Sequence, residues 1–472
     1  MLRHPIAALV LAGASIAGAA TAYPFPYQAD YPYGTRATTI TSAQVQSVYS
    51  SWLTNYYIES GDKARIGWYD PAAPAQGCST DAGDCTVSEG IGYAMLIMVY
   101  MDNSTNSTQA KFDKLLAYYN ANLDGNGLMN WLITGFSGAK KTGAATDADL
   151  DVALAMCMAY KQWGDAKYQT GATTILGKIW DKEVGSNAFK PDDQGTGNLF
   201  NPSYFAVGAA RVFAAVDKNH AWSTVADGCL SKLQTIQGKY STGLVPDWVD
   251  GNNSAVDHNG SGTTSFGYDA VRTPWRVLLD YLWFGTATSK TFEQKIDTWI
   301  QGKVANASAI KIEYSIDGST YNAGQNASYQ GALTVPAMTN AIAADTTWLR
   351  MGSQSLMRLG DNLVSYYNVS WQVLYALTLS GNFQNLWGTV KSVNAVAPRS
   401  GDLSTWSATV RSDAVVLRGE GEVEASLVDA TGRVLSQASG SSAVSLSRPA
   451  TRGVYFVRVQ GRGNGVFPVV LN

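Results

Sequence analysis

The sequence has little charge, few histidines and few cysteines. Only 15% of its 472 residues are charged, its formal net charge is −3, and it holds 3 histidines and 4 cysteines. Because basic residues are neither in excess nor clustered, we expect no nucleic-acid partner. Apart from His4, only His220 and His258 occur, which excludes a site built from several histidines. We expect neither a metal ion nor an organic cofactor.

The chain begins with an apolar run that follows a basic residue. Residues 1–22 are typical of a secretory signal, because Arg3 precedes an apolar stretch over residues 6–16 and small residues at 20–22 provide a cleavage site. The mature chain would begin at Tyr23 and be exported, and we expect it to be a monomer. No later segment has the roughly 18 continuous apolar residues of a membrane span, so we predict none.

Export would bring the cysteines into an oxidising compartment, where disulfides form. Cys78 and Cys85 can close a short loop rich in Ala, Gly and Asp, and we predict a disulfide between them. Cys157 and Cys229 lie inside helical patterns and are predicted to be plain buried residues.

Helix-length apolar patterns alternate with loops rich in Gly, Asn, Ser and Asp over residues 42–380. Clear strand alternation is scarce there, so the pattern predicts an all-α array or barrel with functional residues in the loops. Examples of these helical segments are 42–60, 89–102, 109–122, 147–163, 203–216, 222–238, 271–284 and 362–380.

The composition changes after Trp387. Lys391 is the last lysine, and residues 389–402 are rich in Ser, Asn, Ala, Pro and Gly, as in a linker. Short alternating segments then follow, bounded by Gly and Asp turns. They predict a small all-β sandwich over residues 403–472, so that the helical domain covers residues 23–388.

Glu89 stands at the start of a helical pattern that is apolar on every side. Such a helix must be buried, so an acid at its entrance is either a capping group favoured by the helix dipole or a carboxyl held beside a cavity for chemistry. Burial would raise the pKa of Glu89, as a proton donor requires. Gly90 and Gly92 would let a sugar ring or a neighbouring helix approach this carboxyl.

The stretch Thr146-Asp-Ala-Asp-Leu-Asp151 crowds three acids into one turn and a half. It fails as a calcium loop, because Val152 stands where glycine is needed and Met158 where the bidentate glutamate belongs. Apolar residues at helical spacing instead make it the start of an amphipathic helix, with Thr146 or Asp147 as N-cap. Crowded like charges cost free energy, so at least one of the three acids needs a binding partner.

A further acid, Asp269, precedes Arg272 by one helical turn. This pair is either a structural ion pair or a means of keeping Asp269 ionised for chemistry. Aromatic residues end several loops between the acidic segments, which fits a carbohydrate cleft, since rings stack on sugar faces and carboxylates bind hydroxyls. Glycosidic hydrolysis needs one protonated and one ionised carboxyl, and Glu89 and Asp269 have settings suited to these two roles.

An ordered set of motifs resembles family 8 of the glycoside hydrolases, secreted endo-acting enzymes on β-1,4-glucans and related polysaccharides. The motifs are Tyr31-Pro-Tyr-Gly34, Ser88-Glu-Gly-Ile-Gly-Tyr93, Gly127-Leu-Met-Asn-Trp131, Ala145-Thr-Asp-Ala-Asp-Leu-Asp151, Gln162-Trp-Gly164, Asn201-Pro-Ser-Tyr-Phe205, Gly243-Leu-Val-Pro-Asp-Trp248, Tyr268-Asp-Ala-Val-Arg272 and Ser380-Gly-Asn-Phe383. The resemblance implies an (α/α)6 barrel with an open cleft across one end, followed here by the small β-sandwich.

The resemblance also implies an inverting mechanism and assigns its residues. Glu89 would be the general acid, Asp269 the general base, and Asp147 would bind and distort the sugar at the cleavage point. Inversion needs room for a water, so we expect about 6.5–9.5 Å between the carboxyls of Glu89 and Asp269. The residues expected to bind substrate or orient the base are Trp131, Tyr204, Tyr268 and Arg272.

The function that the resemblance implies is a secreted endo-β-1,4-glucanase acting on cellulose or related β-glucans. A xylanase or a mixed-linkage glucanase on the same fold is the enzymatic alternative, and a silent polysaccharide-binding protein is the alternative of another class. One departure concerns Gln194, near which relatives often carry a tryptophan platform.

The tail carries a second resemblance. Leu427-Val-Asp-Ala-Thr-Gly-Arg-Val-Leu435 and Gly453-Val-Tyr-Phe-Val-Arg-Val459 are similar to the C-terminal sorting domains of bacterial type IX secretion. This likeness implies export through the periplasm to the cell surface or the medium, with secretion machinery as a partner of the tail.

Overall fold

A computed structural model gives the structure of most of the chain. It describes residues 21–68, 78, 83–195, 198–258, 260, 264–340, 347–359, 365–388, 407–411, 414–418, 422–429, 433–441, 443–449, 453–461 and 465–471. The predicted linker 389–402 and all but the last two residues of the predicted signal lie outside these ranges. None of the described helices combines the length and the apolar character that crossing a membrane requires.

Twelve α-helices form the bulk of the described structure. They are α1 (Ser42–Tyr56), α2 (Ser88–Tyr100), α3 (Gln109–Ala121), α4 (Thr146–Trp163), α5 (Ala166–Glu183), α6 (Val207–Val216), α7 (Trp222–Gly238), α8 (Thr273–Phe284), α9 (Ala287–Lys303), α10 (Ala327–Ala332), α11 (Thr347–Arg358) and α12 (Tyr366–Leu379).

The even-numbered helices close a ring. Helix α2 packs on α4, α4 on α6, α6 on α8, α8 on α10, α10 on α12, and α12 returns to α2. The odd-numbered helices pack outside them, with α1 on α12, α3 on α2, α5 on α4, α7 on α6, α9 on α8 and α11 on α10. Six inner and six outer helices make the (α/α)6 barrel, so the predicted fold is confirmed.

The position of each helix follows from its sequence. A helix surrounded by other helices must be apolar on all sides, whereas an outer helix needs one apolar stripe. In α2, 12 of the 13 residues are buried, and only Glu89 is not. In the outer helix α5, the buried residues fall at helical spacing on one face, at Tyr168, Ala172, Ile175, Leu176 and Ile179.

Gly92 allows the closest contact inside the ring. A Cβ added at this position would lie 2.8 Å from the Cβ of Asp151 and 3.1 Å from the carbonyl oxygen of Ala148, both on α4. Only glycine fits at such a distance. The space beside the helix entrance that the sequence predicts is thus filled, at Gly92, by a neighbouring helix.

Short antiparallel strands lie in the loops between the helices of the barrel. They are β1 (Tyr57–Ser60), β2 (Lys63–Ile66), β3 (Cys85–Val87), β4 (Asn130–Thr134), β5 (Gly138–Ala144), β6 (Val184–Gly185), β7 (Ala188–Phe189), β8 (Leu199–Phe200), β9 (Val249–Asp250), β10 (Ser265–Phe266) and β11 (Tyr314–Ser315). Strands β3, β4 and β5 form a three-stranded sheet, in which Val87 of β3 pairs with Leu132 of β4. Strand β3 leads directly into α2, because Val87 is followed by Ser88, the first residue of that helix.

The tail folds into two antiparallel sheets, as the alternating pattern predicts. Their strands are β12 (Ser407–Val410), β13 (Ala414–Arg418), β14 (Val423–Val428), β15 (Val434–Gly440), β16 (Ala443–Ser447), β17 (Gly453–Gly461) and β18 (Gly465–Leu471). The strand orders are β12-β13-β16 and β15-β14-β17-β18, around an apolar core separate from that of the barrel. The predicted boundaries of the tail domain fall in or beside the undescribed linker and stay predictions.

Candidate active site

Acidic and aromatic side chains meet at the N-terminal ends of the inner helices. Glu89 and Asp147 lie in the first turns of α2 and α4, Tyr366 begins α12, and Arg272 directly precedes α8. The positive ends of helix dipoles favour carboxylates at such positions. One end of the barrel is therefore prepared to hold several acids together.

Arg272 is the centre of this cluster. Its guanidinium is 1% exposed and donates hydrogen bonds to three carboxyls: from Nη1 to Asp147 Oδ2 at 2.6 Å and to Glu89 Oε2 at 2.9 Å, and from Nη2 to Asp269 Oδ1 at 2.6 Å. The side chains of Glu89 and Asp269 are 22% and 25% exposed, whereas that of Asp147 is 2% exposed. Two partly exposed acids thus share the guanidinium with a buried one.

Glu89 does not cap its helix. Val87 is the N-cap residue and makes no side-chain capping bond, while the two oxygens of Glu89 accept hydrogen bonds from the hydroxyls of Tyr366 and Tyr93 and from Arg272. Burial raises the pKa of Glu89, against the opposing effect of Arg272. Glu89 therefore makes no capping bond, although it lies in the first turn, where the helix dipole favours an acid, and burial favours its protonated form.

Asp147, Asp149 and Asp151 each face a different partner. Asp147 binds Arg272, Asp149 accepts the hydroxyl of Tyr119, and Asp151 forms a buried ion pair with Arg276, whose Nη2 lies 2.8 Å from Asp151 Oδ2. Asp149 points away from the other two, because residues two apart on a helix face different directions. Asp147 and Asp151 are four apart and share a face, but each is paired with its own arginine. The predicted N-cap is wrong: Ala145 takes that position, and the helix begins at Thr146.

Burial favours the protonated form of the carboxyls in the first turn of α4. It raises the pKa of Asp147 to about 7, with the Glu89 charge adding to the rise and Arg272 opposing it. It raises the pKa of Asp149 to about 8, and that of the neighbouring Glu183 well above its usual value. Two adjacent buried carboxyls cannot both ionise cheaply, so Asp149 and Glu183 are protonated in the folded protein at mildly acidic pH.

This buried pair predicts a pH-dependent stability. Unfolded Asp149 loses its proton near about pH 4, whereas the folded protein holds it until about pH 8, and burial raises the pKa of Glu183 in the same direction. The free energy of unfolding therefore falls as pH rises through this window. Asp149→Asn, which needs no proton, should reduce the loss between about pH 5 and pH 8 by roughly 2 kcal/mol, measured by urea unfolding. Asp181→Asn, an exposed change on α5, should keep the wild-type slope, and an unchanged slope in Asp149→Asn would refute the account.

Both carboxylate oxygens of Asp269 are occupied by donors. Trp248 Nε1 donates to Oδ2 at 2.9 Å, and Arg272 Nη2 donates to Oδ1. Arg272 donates to Glu89 from Nη1 and to Asp269 from Nη2, and these two nitrogens share one carbon. The two accepting oxygens, Glu89 Oε2 and Asp269 Oδ1, therefore lie no more than about 8 Å apart. This upper limit leaves room for a water between them, but the predicted separation stays a prediction.

Aromatic rings surround the acids. The ring of Tyr204 lies 5.2 Å from the guanidinium carbon of Arg272, and the ring of Tyr268 is 40% exposed. Trp131 is half-buried on β4. Its neighbour Leu132 pairs with Val87, the residue directly before α2. The structure thus brings Glu89, Asp147, Asp269, Arg272 and Tyr204 into direct contact or close approach, and it places Tyr268 and Trp131 beside the same segments.

The geometry can be compared with known proteins. The model of the glycosyl hydrolases family 8 matches residues 25–380 of the chain. The chain belongs to family 8 of the glycosyl hydrolases. Endoglucanase 2 of Ruminiclostridium josui is 32% identical to it over 393 residues, covering 80% of this chain and 81% of that protein.

Other family relatives agree. Beta-glucanase of Niallia circulans is 29% identical over 402 residues, covering 80% of this chain and 95% of that protein. The apo structure of a beta-1,3-1,4-glucanase from Paenibacillus sp. X4 has a TM-score of 0.70 and 26% identity, covering 77% of this chain and 99% of that one. The predicted family is therefore confirmed, and the chain is a glycoside hydrolase.

Sequence reasoning missed several residues of this family 8 site. Tyr93 stands one helical turn after Glu89 and binds both Glu89 and Arg272, a spacing that could have pointed to it. Tyr366 reaches Glu89 from a segment 277 residues away, which no local pattern can indicate. Asp247 and Trp248 occur in a motif used for the family resemblance, but nothing in the motif indicates that they contact the turn of Asp269.

The structure also bears on the predictions made for the cysteines and for Gln194. Cys78 and Cys85 form a disulfide, with Cα atoms 5.9 Å apart, shortly before α2. Cys157 and Cys229 are free and buried. Gln194 is exposed, and its amide nitrogen lies 2.9 Å from where a Cβ at Gly143 would be.

Proposed function

We propose that the chain is an inverting endo-β-1,4-glucanase that hydrolyses cellulose or related β-glucans. One observation carries the proposal: a single buried guanidinium, that of Arg272, holds two partly exposed acids that differ in their surroundings. Glu89 receives hydroxyl donors and has a raised pKa, whereas Asp269 receives an indole N–H and an arginine. Distinct environments for two carboxyls are the requirement for acid–base hydrolysis of a glycoside.

The reaction uses the two acids on opposite sides of one sugar ring. The protonated carboxyl of Glu89 donates its proton to the oxygen of the bond that breaks. A water beside Asp269 attacks the anomeric carbon from the other face and gives its proton to Asp269. The attacking oxygen ends on the face opposite to the departing one, so a β-linkage yields an α-product.

The remaining residues bind the sugar. Tyr204 and Tyr268 offer a hydroxyl and a ring beside the acids, and Trp131 offers a stacking face near the start of α2. Arg272 fixes the orientation of both acids. Asp147, whose side chain is 2% exposed, binds and distorts the sugar at the cleavage point in our proposal and is itself held by Arg272.

A mixed-linkage glucanase is the second candidate. The relatives include a beta-glucanase and a solved beta-1,3-1,4-glucanase, each matched over most of its length. The missing tryptophan near Gln194 also removes a platform that could favour uniform β-1,4 chains. A xylanase is the third candidate. The solved structure of a reducing-end xylose-releasing exo-oligoxylanase is only 21% identical to the chain, so it shows a shared fold and ranks this activity below the other two.

A substrate panel separates these candidates. Reducing-sugar release should be measured on carboxymethylcellulose, barley β-glucan, xylan and chitosan at equal mass. We expect release from both glucans, with a rapid fall in viscosity of carboxymethylcellulose, because an endo-enzyme cuts inside the chain. Activity on barley glucan alone would favour the mixed-linkage enzyme, activity on xylan alone the xylanase, and no release from any substrate would favour a binding protein.

Export is part of the same proposal. The secretory pattern of residues 1–22 supports passage out of the cytoplasm, and the two antiparallel sheets of the tail are consistent with a sorting module that engages secretion machinery. The enzyme would then act outside the cell or at its surface, where polysaccharides are found.

A further inference from the structure

The turn that carries Asp269 is fixed by a residue from a distant loop. Asp247 Oδ1 accepts the backbone N–H groups of Gly267 at 3.1 Å and of Ala270 at 2.7 Å, on either side of Asp269. A Cβ at Gly267 would lie 2.1 Å from Asp247 Oδ2, so the carboxyl lies directly against this backbone. The backbone of residues 267–270 is thereby held in place.

The next residue in that loop holds the side chain of the same acid. Trp248 Nε1 donates to Asp269 Oδ2 at 2.9 Å, while the other oxygen is bound by Arg272. An indole N–H is a donor only, so it always favours the ionised carboxylate as its partner. With one donor on each oxygen, the carboxylate plane of Asp269 cannot rotate freely.

Trp248 is itself held by its surroundings. Its ring is 4.2 Å from that of His258 and 6.3 Å from that of Tyr204, and its carbonyl accepts the N–H of Val256 at 3.0 Å. Asp247 N–H donates to the carbonyl of Ser265 at 3.2 Å. The loop is thus joined to the strand before the Asp269 turn as well as to the turn itself.

We propose that Asp247 and Trp248 form a positioning unit for the base, in which Asp247 fixes the backbone of the turn and Trp248 fixes and polarises the Asp269 carboxylate. This inference rests on the proposed role of Asp269. Neither residue touches the sugar in this role. Misplacing a catalytic group by a fraction of its hydrogen-bond length lowers turnover strongly, so the unit would set kcat more than KM.

The test is the change Trp248→Phe, which keeps an aromatic ring and removes the N–H. Loss of a donor to a charged group disfavours the ionised form of Asp269, so the acidic limb of kcat/KM should move up by about one pH unit. We expect kcat on carboxymethylcellulose to fall about 10- to 100-fold and KM to stay within about twofold. Trp248→Phe leaves the other titratable groups that face Asp269 in place. These groups are Arg272, Glu89, Asp247, Tyr204 and Tyr367.

A matched control removes the same kind of bond elsewhere. Trp163 Nε1 donates to Asp102 Oδ2 at 2.8 Å, near the C-terminal end of α4 and away from the acids. Trp163→Phe should leave the pH profile in place. If Trp248→Phe does not fold, 3-benzothienylalanine at position 248 preserves the shape of the indole without the N–H and should give the same shift of the acidic limb.

The outcomes separate this inference from the proposed function. A fall in kcat without movement of the acidic limb would overturn the inference, because a purely structural tryptophan would act in that way. Wild-type rates in the benzothienylalanine protein would overturn it too. If Asp269→Asn remains fully active, the assignment of the base fails; if Asp269→Asn is inactive while the profile of Trp248→Phe is normal, only the positioning role fails.

Discussion

Replacing Glu89 by glutamine is expected to abolish hydrolysis of glucan while the protein stays folded. The amide cannot donate a proton to the leaving oxygen, and general-acid catalysis accounts for about 10²–10⁴ in rate. Burial raises the pKa of Glu89 and so favours its neutral carboxyl. The glutamine amide has the same shape and charge as this neutral form, so the protein should stay folded. The rate should therefore fall by about 10³-fold on carboxymethylcellulose, measured as reducing sugar, with binding of cello-oligosaccharides retained.

A better leaving group checks that the loss is one of proton donation. A 2,4-dinitrophenyl β-cellobioside needs little acid assistance, so Glu89→Gln should cleave it at a rate much closer to that of the wild type. Glu293→Gln is a suitable control, since Glu293 is a fully buried glutamate on the outer helix α9. Substantial hydrolysis of carboxymethylcellulose by Glu89→Gln would show that another group is the acid.

Replacing Asp269 should be as damaging for a different reason. Asparagine keeps the shape of the side chain but cannot accept the proton of the attacking water, so kcat should fall about 10²–10⁴-fold on every glucan. Unlike Glu89→Gln, this variant should not recover on the dinitrophenyl substrate, because base assistance to water is needed whatever the leaving group. Reducing-sugar assays on both substrates make the comparison.

Azide provides the control for the Asp269 assignment. In Asp269→Ala the gap can admit azide, which attacks the anomeric carbon without needing a base and yields an α-glycosyl azide as the bond to the leaving oxygen breaks. Asp297→Asn, a change on the outer helix α9, should behave as wild type. An azide product of β configuration would contradict the placement of Asp269 opposite the leaving group.

Most inner helices could be predicted from the sequence, because burial on every side leaves a strong apolar pattern. Helices α2, α4 and α12 were expected within a few residues of their observed bounds. The outer helices α1, α3 and α7 also fall within predicted segments, whereas the outer helices α5, α9 and α11 and the short inner helix α10 do not. Loop chemistry also shifted two starts: short 3-10 turns precede α6 and α8.

The candidate acids were also visible in the sequence, whereas their common partner was not. Arg272 was expected to pair with Asp269 from its spacing alone, but its bonds to Glu89 and Asp147 span 183 and 125 residues. Such contacts arise only when the ring of helices closes. The same closure explains why the three acids at the start of α4 are tolerated, because each meets its own partner: Arg272 for Asp147, Tyr119 for Asp149 and Arg276 for Asp151.

The central claim is that Glu89 and Asp269 act on opposite faces of one sugar, and the anomer of the first product tests it most directly. Proton NMR during the first minutes of hydrolysis of a cello-oligosaccharide distinguishes the two anomers before they equilibrate. The account predicts that the α-anomer appears first and then mutarotates. Initial formation of the β-anomer would contradict it.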